Sequence, residues 1–256
     1  MKETRSLLNS LVICGVALAM ASTLAAQTVN QGGAKVVRIK GAARYSTGNN
    51  VWEPLKVGTV IRPGTVIQTA AKSSVDFGLD DAAAPVARPA SPTDSLAYQP
   101  AAEQNMVRIF ENTLVGLDKL TITETGADVV TETQLDLKAG HIFGMVKKMS
   151  AASKYEVKIP NGVAGIRGTT YDISAEGLIK VSVGSVVLAY VGPDGTVMTQ
   201  VIMGSQQFDA RTGVLSPLPD LDKTGMGRLS RQLFAGLTPA PTSVVADKTL
   251  SFVSPH

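Results

Sequence analysis

Few side chains in this sequence could carry out catalysis or hold a metal. The histidines are His141 and the terminal His256, and the one cysteine is Cys14. A protein zinc site needs three or four histidine, cysteine or carboxylate ligands, and these residues do not supply them. A catalytic triad would have to use His141, and no serine stands in a Gly-x-Ser-x-Gly nucleophile elbow. We therefore interpret His141 as a structural residue of a strand, and we expect no catalytic residue, no metal and no cofactor.

The acidic residues nearest to a cluster are Asp76, Asp80 and Asp81. They follow or alternate with Val75, Phe77 and Leu79, which is the pattern of a strand with one face in the core. The sequence predicts that these carboxylates face solvent. The two carboxylates of a glycoside hydrolase meet only in three dimensions, but no pattern here favours such a pair, and we do not expect an enzyme.

The densest glycine motif covers residues 162–170 and reads Gly-Val-Ala-Gly-Ile-Arg-Gly-Thr-Thr. It lacks the Gly-Lys-Ser/Thr end of a phosphate-binding loop, and a strand-like segment follows it rather than a helix. Glycines three residues apart instead indicate close backbone approach, a bulge or a sharp corner between strands. The neighbouring lysines form a modest basic patch that we interpret as a solvated face, because aromatic stacking residues are scarce. They are Lys147, Lys148, Lys154 and Lys158.

Arg167, inside this motif, has two interpretations. As a functional residue it would be a cation that contacts a ligand. As a structural residue, its planar guanidinium would bridge backbone carbonyls that the glycine corner leaves unpaired. We prefer the structural interpretation, which predicts that Arg167→Lys lowers the melting temperature without selectively abolishing binding.

The elements that must position these residues are strands. Alternation with a period of two dominates from residue 35 to about residue 209, and no stretch there sustains helical spacing. Residues 186–191 are almost continuously apolar, so this segment is a candidate for burial on both faces. The sequence Gly192-Pro193-Asp194-Gly195 then predicts a hairpin turn.

Residues 58–63 and 64–69 form a local near-duplication. A rung of a β-solenoid is one interpretation, but two copies are too few to establish a repeat. The preferred interpretation is two short strands separated by the Arg62-Pro63-Gly64 turn. The 24 Gly and 13 Pro in 256 residues also favour a turn-rich, strand-rich fold. The predicted fold is all-β: an antiparallel-rich sandwich, a rolled sheet or a short solenoid.

The N-terminus has the pattern of an export signal. Lys2 and Arg5 precede a mostly apolar run over residues 7–24, and Ala25 and Ala26 offer a cleavage site. We predict that residues 1–26 are a signal peptide and that the mature chain is exported, to the periplasm or outside the cell. An uncleaved anchor is the alternative. Cys14 lies in this segment, so the cleaved chain would contain no disulfide framework.

The remaining boundaries follow from composition. One β domain is predicted over residues 35–210, with an insert at residues 82–104 in which 12 of 23 residues are Ala or Pro. This insert cannot pair as a strand; we predict a surface loop, with a lid over a binding site as the alternative. Residues 211–256 hold a short amphipathic helix and a Pro/Ser/Thr-rich tail. Helical spacing and Gly236 as a stop define that helix, which we expect to dock on the domain; its apolar residues are Met226, Leu229, Leu233, Phe234 and Leu237.

The glycine motif and the strands before it resemble a FecR-type domain, the exported part of the bacterial iron-siderophore signalling regulators. The resemblance spans about residues 35–210. It rests on Trp52-Glu53-Pro54-Leu55, on residues 64–69 and 135–140, and on Ala164-Gly165-Ile166-Arg167-Gly168-Thr169 followed by Tyr171-Asp172-Ile173. The implied family signature, which we expect to be structural, is Gly162, Gly165, Arg167, Gly168, Thr169, Tyr171 and Asp172.

The chain departs from the family pattern in three places. Thr65 stands where the family commonly has an acidic residue, and the insert at residues 82–104 interrupts a region that is usually compact. About six residues precede the apolar N-terminal run, which leaves no room for the regulators' cytoplasmic sigma-factor-binding segment. The resemblance therefore implies the extracytoplasmic recognition domain alone.

The expected function follows from these points. The formal net charge of +3 is too small to indicate binding to nucleic acid or to an anionic membrane surface. We expect a non-catalytic domain that binds an envelope protein or a glycan through exposed strand edges or loops, with a possible link to cell-envelope signalling. The alternative is a structural envelope component that associates with itself. Membrane contact is expected only through an uncleaved signal segment.

Overall fold

A computed structural model of the chain describes residues 28–48, 51–79, 104–125, 128–192 and 194–235. The predicted signal peptide, Cys14, nearly all of the Ala/Pro insert and the C-terminal tail lie outside these residues. Within them, the chain forms seventeen strands and one helix. No described helix is both long enough and apolar enough to cross a membrane.

The strands follow one another along the chain and are labelled in that order. They are β1 (Thr28–Gln31), β2 (Ala34–Lys40), β3 (Ala43–Ser46), β4 (Glu53–Pro54), β5 (Val60–Ile61), β6 (Thr65–Thr69), β7 (Ser74–Leu79), β8 (Met106–Ile109), β9 (Leu114–Glu124), β10 (Val129–Ala139), β11 (His141–Met145), β12 (Lys154–Ile159), β13 (Gly162–Ser174), β14 (Leu178–Val191), β15 (Val197–Met203), β16 (Gln206–Asp209) and β17 (Val214–Pro217). The helix α1 spans Asp220–Ala235. The fold is all-β with one C-terminal helix, as the sequence predicts.

The strands form one continuous sheet that curls back on itself as two facing limbs. The first limb has the order β4, β3, β6, β9, β10, β12, β13, β14, β15, with β1 added at the far end of β9. The second limb has the order β5, β2, β7, β8, β11, β13, β14, β16, β17. The pairs are antiparallel except for β10 with β12, which are parallel. The long strands β13 and β14 belong to both limbs, so this hairpin joins the two layers.

The main core lies between the limbs. Apolar side chains from both limbs form one buried cluster, which includes Leu137 and Val157 from the first limb and Phe77 and Ile173 from the second. The alternating pattern explains this arrangement, because every second residue of each strand points to the same side. A void of about 20 Å³ among these side chains could hold no more than a water-sized molecule. The core around this void is therefore closely packed.

The helix α1 covers the outer face of the second limb. Met226 and Leu233 of α1 pack on Met106, Phe143 and Met145 to form a second buried cluster. Asp220 and Asp222 in the first turn stabilise the helix, because acidic groups interact favourably with the positive end of the helix dipole. Since α1 covers this limb from outside, β7, β8 and β11 are buried on both faces.

Two predictions about strands can be compared with this fold. The near-duplicated segment forms the separate short strands β5 and β6, which pair with different partners, so the preferred interpretation is confirmed.

The prediction that Asp76 faces solvent is wrong. Asp76 does point away from the main core, but α1 covers that face and the residue is buried. Asp80 and Asp81 lie outside the described residues.

A row of charged side chains crosses the second limb beneath α1. Neighbouring strands place Arg38, Asp76, Arg108, Phe143, Asp172 and Lys180 opposite one another in that order. Asp76 accepts hydrogen bonds from Arg38 Nε at 2.7 Å and from Arg108 Nε and Nη2 at 2.7 and 2.9 Å. At the other end of the row, Lys180 forms a salt bridge with Asp222 of α1 at 3.0 Å. The salt bridge to Asp222 therefore ties α1 to the strands at this end of the row.

Candidate functional site

The glycine motif forms the corner where β13 passes from one limb to the other. The register of β13 against β14 shifts between Arg167 and Thr170. Gly168 and Gly184 on the two strands have positive φ angles of 60° and 87°. A side chain on Gly184 would meet the Gly168 carbonyl oxygen at 2.3 Å. The expected sharp corner with close backbone approach is therefore present.

Thr169 holds this corner together. Its buried hydroxyl shares its one proton between the carbonyl oxygens of Arg167 at 2.9 Å and Ser185 at 2.8 Å, and it accepts a hydrogen bond from the Ser185 amide at 3.2 Å. These contacts satisfy backbone groups that the register shift removes from the β13–β14 ladder.

The structural interpretation of Arg167 as a bridge between backbone carbonyls is wrong. Its side chain is exposed, and its guanidinium makes no hydrogen bond or salt bridge with the described residues. The threonine two positions later makes the contacts that we expected from the arginine. Arg167 is instead a free cation on the outer surface of the first limb.

The other signature residues lie in or near the core. The hydroxyls of Tyr155 and Tyr171 meet at 3.0 Å between the limbs, and both rings are buried. Burial raises the pKa of Tyr171 further above its usual value of 10.0, so this tyrosine stays protonated. Gly162 lies against the backbone of β14, where an added Cβ would come within 2.5 Å of the Ala189 carbonyl oxygen. Gly165 has no such close neighbour.

Asp172 has a perturbed pKa but a structural setting. Burial raises the pKa of this carboxyl to about 6, and nearby Asp222 adds to the rise, while Lys180 opposes it. A shifted carboxyl can mark a catalytic site. Asp172 lies in the charged row beneath α1, however, where it faces Lys180 across the β13–β14 pair. His141, in the next row, has a lowered pKa because of burial and Lys180, and its ring stacks on Phe110 at 4.1 Å between centroids.

The outer face of β13, β14 and β15 forms an exposed apolar surface. The strand register aligns Gly165, Val187 and Val201 in one row and Val163, Ala189 and Thr199 in the next. The rows beyond them place Val191 opposite Val197 and Ser185 opposite Met203, with Arg167 at the Ser185 end. We call this set the outer patch. Val197 is 77% exposed and Met203 53%.

This patch shows that burial of residues 186–191 on both faces is a wrong prediction. Val186, Leu188 and Tyr190 are buried in the core, but Val187, Ala189 and Val191 are exposed on the other side. An apolar run alone cannot tell a strand covered on both faces from a strand whose second face is an interaction surface. Contiguous exposed apolar side chains of this kind are typical of protein interaction sites.

Strand β15 adds an open edge to the patch. Among the described residues, β15 pairs with β14 alone. The predicted turn at Gly192–Gly195 joins the two strands, with Gly195 at a φ of 80° and Pro193 outside the described residues. Side chains reach two backbone groups on the free side: Gln206 Oε1 accepts from the Met203 amide at 2.8 Å, and Gln200 Nε2 donates to the Val201 carbonyl at 2.7 Å.

These two hydrogen bonds identify the side of β15 that is free. In an antiparallel pair, alternate residues direct their backbone groups toward and away from the partner strand. Because the backbone groups of Val201 and Met203 point away from β14, the amide of Thr199 points the same way. The sequence of β15, Val-Met-Thr-Gln-Val-Ile-Met, contains no charge and no proline. It therefore lacks the charged residues and prolines that often block the pairing of an edge strand.

The described residues contain no group of three or more histidine, cysteine or acidic side chains placed to hold a metal ion. The candidate site that remains is the outer patch with the open edge of β15. The sequence contained two signals for it: the uninterrupted apolar run of β14 and the uncharged β15. The apolar run of β14 predicted burial on both faces, because nothing in the sequence shows which face of a strand stays uncovered.

Comparisons with known proteins agree with the resemblance seen in the sequence. A family model described as "FecR protein" matches residues 97–187. The matched segment includes β8–β13 and most of β14, and it ends before β15. No curated protein matches the chain.

Two similar solved structures are crystal structures from Parabacteroides distasonis ATCC 8503, and each is described as the structure of an anti-sigma factor. The first is 14% identical with a TM-score of 0.31, and the match covers 45% of this chain and 51% of that one. The second is 12% identical with a TM-score of 0.28, and the match covers 74% of this chain and 59% of that one. The chain thus spans between half and three fifths of the length of these proteins.

Proposed function

We propose that the chain is a non-catalytic recognition domain of the cell envelope, and the match of residues 97–187 to the FecR family model supports this proposal. Its ligand is an extended segment of another envelope protein, which pairs with the open edge of β15. The domain acts in the periplasm or outside the cell, as the N-terminal export pattern indicates, and a link to envelope signalling follows from the family.

The observation that carries this proposal is the edge of β15, which pairs with no strand among the described residues and lies beside the apolar outer patch. Strand addition to an exposed sheet edge gives affinity through backbone hydrogen bonds and specificity through alternate side chains. The edge presents the backbone of Thr199 and the amide of Val201, while Val197, Val201 and Met203 form the adjoining apolar surface. Such a surface favours a protein partner over a glycan, because sugars offer no backbone donors and acceptors in strand register.

Arg167 favours a protein partner that carries an acidic residue. It is a free cation at the Ser185 end of the outer patch. A partner strand that combines apolar residues with one acidic residue would fit this arrangement, because the guanidinium binds carboxylates well. Arg167 therefore becomes a candidate contact residue, the functional interpretation that the sequence left open.

The test is to replace Thr199 by proline. Proline removes the outward amide of Thr199, while the hydrogen bonds between β15 and β14 use the alternate residues. We expect Thr199→Pro to weaken capture of the envelope partner at least tenfold, measured by pull-down from envelope extract and then by calorimetry with the captured protein. Thr199→Ala is the matched control, because it removes the side chain but keeps the amide.

Equal binding by the proline and alanine variants would reject strand addition at β15. Capture of a glycan in place of a protein would reject the proposed partner class. Circular dichroism should give the same sheet signal for both variants, since proline is tolerated on an edge strand where its missing donor faces outward.

The same edge also supports the alternative of a self-associating structural component. An uncharged strand could pair with β15 of a second copy without repulsion between like charges. Sedimentation of the purified domain separates the two possibilities. A monomer at high concentration supports recognition of a different protein, whereas a dimer that Thr199→Pro dissociates supports self-association.

A further inference from the structure

A second surface feature lies at the C-terminal end of α1. There β2, β7, β8 and the helix leave an open cleft of about 800 Å³, on the outer face of the second limb and away from β15. We call it the helix-end cleft. Its lining residues are Arg38, Lys40, Lys72, Ser73, Ser74, Arg108, Phe110, Glu111 and Gln232.

The helix-end cleft carries an excess of positive charge. Four of its lining residues are cations and one, Glu111, is acidic. Asp76 lies beneath and is the one carboxylate shared by Arg38 and Arg108. Four positive charges against two negative charges leave two positive charges uncompensated. Arg108 lies in the wall of the cleft and is 7% exposed, so solvent screens its charge less than it screens a charge at the surface.

Of the four cations, the two arginine side chains are held by hydrogen bonds, and the two lysine side chains are free within the described part of the chain. Arg108 donates to Asp76 and to Gln232 Oε1, and Arg38 donates to Asp76 and to the Gln232 carbonyl. These two guanidiniums are held in place by the protein. Lys40 and Lys72 are exposed, and their ammonium groups have no hydrogen bond or salt bridge with the described residues. They remain available to an anion.

The cleft also offers groups that suit a sugar ring. Phe110 is partly exposed and stacks on His141 with an interplanar angle of 15°, which makes a rigid aromatic platform. Ser74 faces Lys40 across the β2–β7 pair, and its hydroxyl has no partner among the described residues. Aromatic rings pack against the apolar faces of sugar rings, and hydroxyls bond to sugar hydroxyls.

We infer that the helix-end cleft binds an acidic saccharide, with the sugar ring against Phe110 and the carboxylate at Lys40 and Lys72. The combination of free ammonium groups, a held pair of guanidiniums, a hydroxyl and an aromatic platform matches a ligand that is both anionic and rich in hydroxyls. This site shares no residue with the β15 edge, so it stands whether or not that edge binds a protein.

The experiment is calorimetric titration of the domain with tetragalacturonate at low salt. The fully methyl-esterified form of the same oligosaccharide is the matched ligand control, because it keeps the rings and loses the charges. We expect binding of the acidic form, weaker binding at 0.5 M NaCl, and little or no binding of the ester.

Variants test the assigned residues. One ion pair at 4 Å in water is worth about fivefold in affinity, so the double variant Lys40→Gln/Lys72→Asn should weaken binding at least tenfold. Asparagine is chosen at position 72 because Lys72 has a φ of 56°, and asparagine tolerates this region better than most residues. Lys35→Gln is the matched control, because Lys35 is an exposed lysine of β2 outside the cleft.

The inference would be overturned by no binding of tetragalacturonate, by equal binding of the ester, or by unchanged binding of the double variant. Inorganic phosphate distinguishes a saccharide site from a general anion site. If phosphate displaces tetragalacturonate at equal concentration, the cleft recognises charge alone and the assignment to a saccharide is wrong. Binding of the saccharide by Thr199→Pro would show that the two sites are separate.

Discussion

At the scale of single residues, the corner of β13 assigns different roles to two neighbouring signature residues. Thr169 is buried and bonds to three backbone groups, whereas Arg167, two positions earlier, is exposed and makes no side-chain contact with the described residues. The sequence showed that the motif forms a corner, because glycines at short spacing have few other uses. It could not show which polar side chain holds the corner, since that depends on which backbone groups the register shift leaves unpaired.

Thr169→Val tests this assignment. Valine keeps the shape of the side chain but leaves the Ser185 amide and two carbonyls without their hydroxyl partner. We expect the free energy of unfolding to fall by about 1–3 kcal/mol, measured by urea denaturation. Arg167→Lys serves as the comparison and should change stability by less than about 0.5 kcal/mol. A larger loss for Arg167→Lys than for Thr169→Val would restore the arginine to the structural role.

Asp172 makes the stability of the domain depend on pH. Its folded pKa of about 6 lies above the ordinary value of 3.8, so the fold disfavours the charged form. This destabilisation is present in full above about pH 6 and disappears as the pH falls toward 3.8. Asp172→Asn is uncharged at every pH, and at pH 8 it should stabilise the domain by up to about 3 kcal/mol.

The measurement for Asp172→Asn is urea unfolding of both proteins at pH 8 and at pH 4. Near pH 4 the carboxyl is largely protonated in the fold, so the two proteins should have nearly equal stability. An equal difference at both pH values would mean that the contacts of Asp172, and not its charge, set its contribution.

At the scale of elements, α1 determines which faces of the second limb are buried. The apolar spacing of Met226, Leu229 and Leu233 predicted the helix, which begins at Asp220, six residues before the first of them. What the spacing could not show is where the helix docks. Because α1 docks over Asp76, this residue is buried instead of exposed. The alternating pattern shows that Asp76 points outward, but it does not show whether a helix covers that face.

Leu233→Ala measures how much α1 contributes. Leu233 is fully buried against the second limb, while Leu221 in the same helix is 84% exposed. We expect Leu233→Ala to lower the free energy of unfolding by about 2–5 kcal/mol, as is typical for a buried leucine. Leu221→Ala should have little effect, since alanine is also a strong helix former. Thermal unfolding of both variants provides the comparison, and equal losses would show that α1 is not held by its buried face.

At the scale of the whole molecule, the two limbs depend on one shared hairpin. Strands β13 and β14 pair through most of their length and contribute to both layers. Period-two alternation predicted the all-β class, and the glycine corner predicted a bend, but neither gives the order of strands. That order places residues far apart in sequence side by side, such as Arg38 beside Asp76, and it arises from tertiary packing. The outer patch was beyond prediction for the same reason, because a face is exposed only if no other element covers it.

The outer patch has a further consequence for the choice of side chain at its most exposed positions. Folding rewards apolar side chains that leave water, yet Val197 and Val201 remain 77% and 47% exposed in the folded domain. Threonine has a comparable preference for strands and would serve the fold equally well at these positions. Selection for a stable fold therefore does not account for the valines. The stability of the isolated domain thus gives no reason for an apolar side chain at either position.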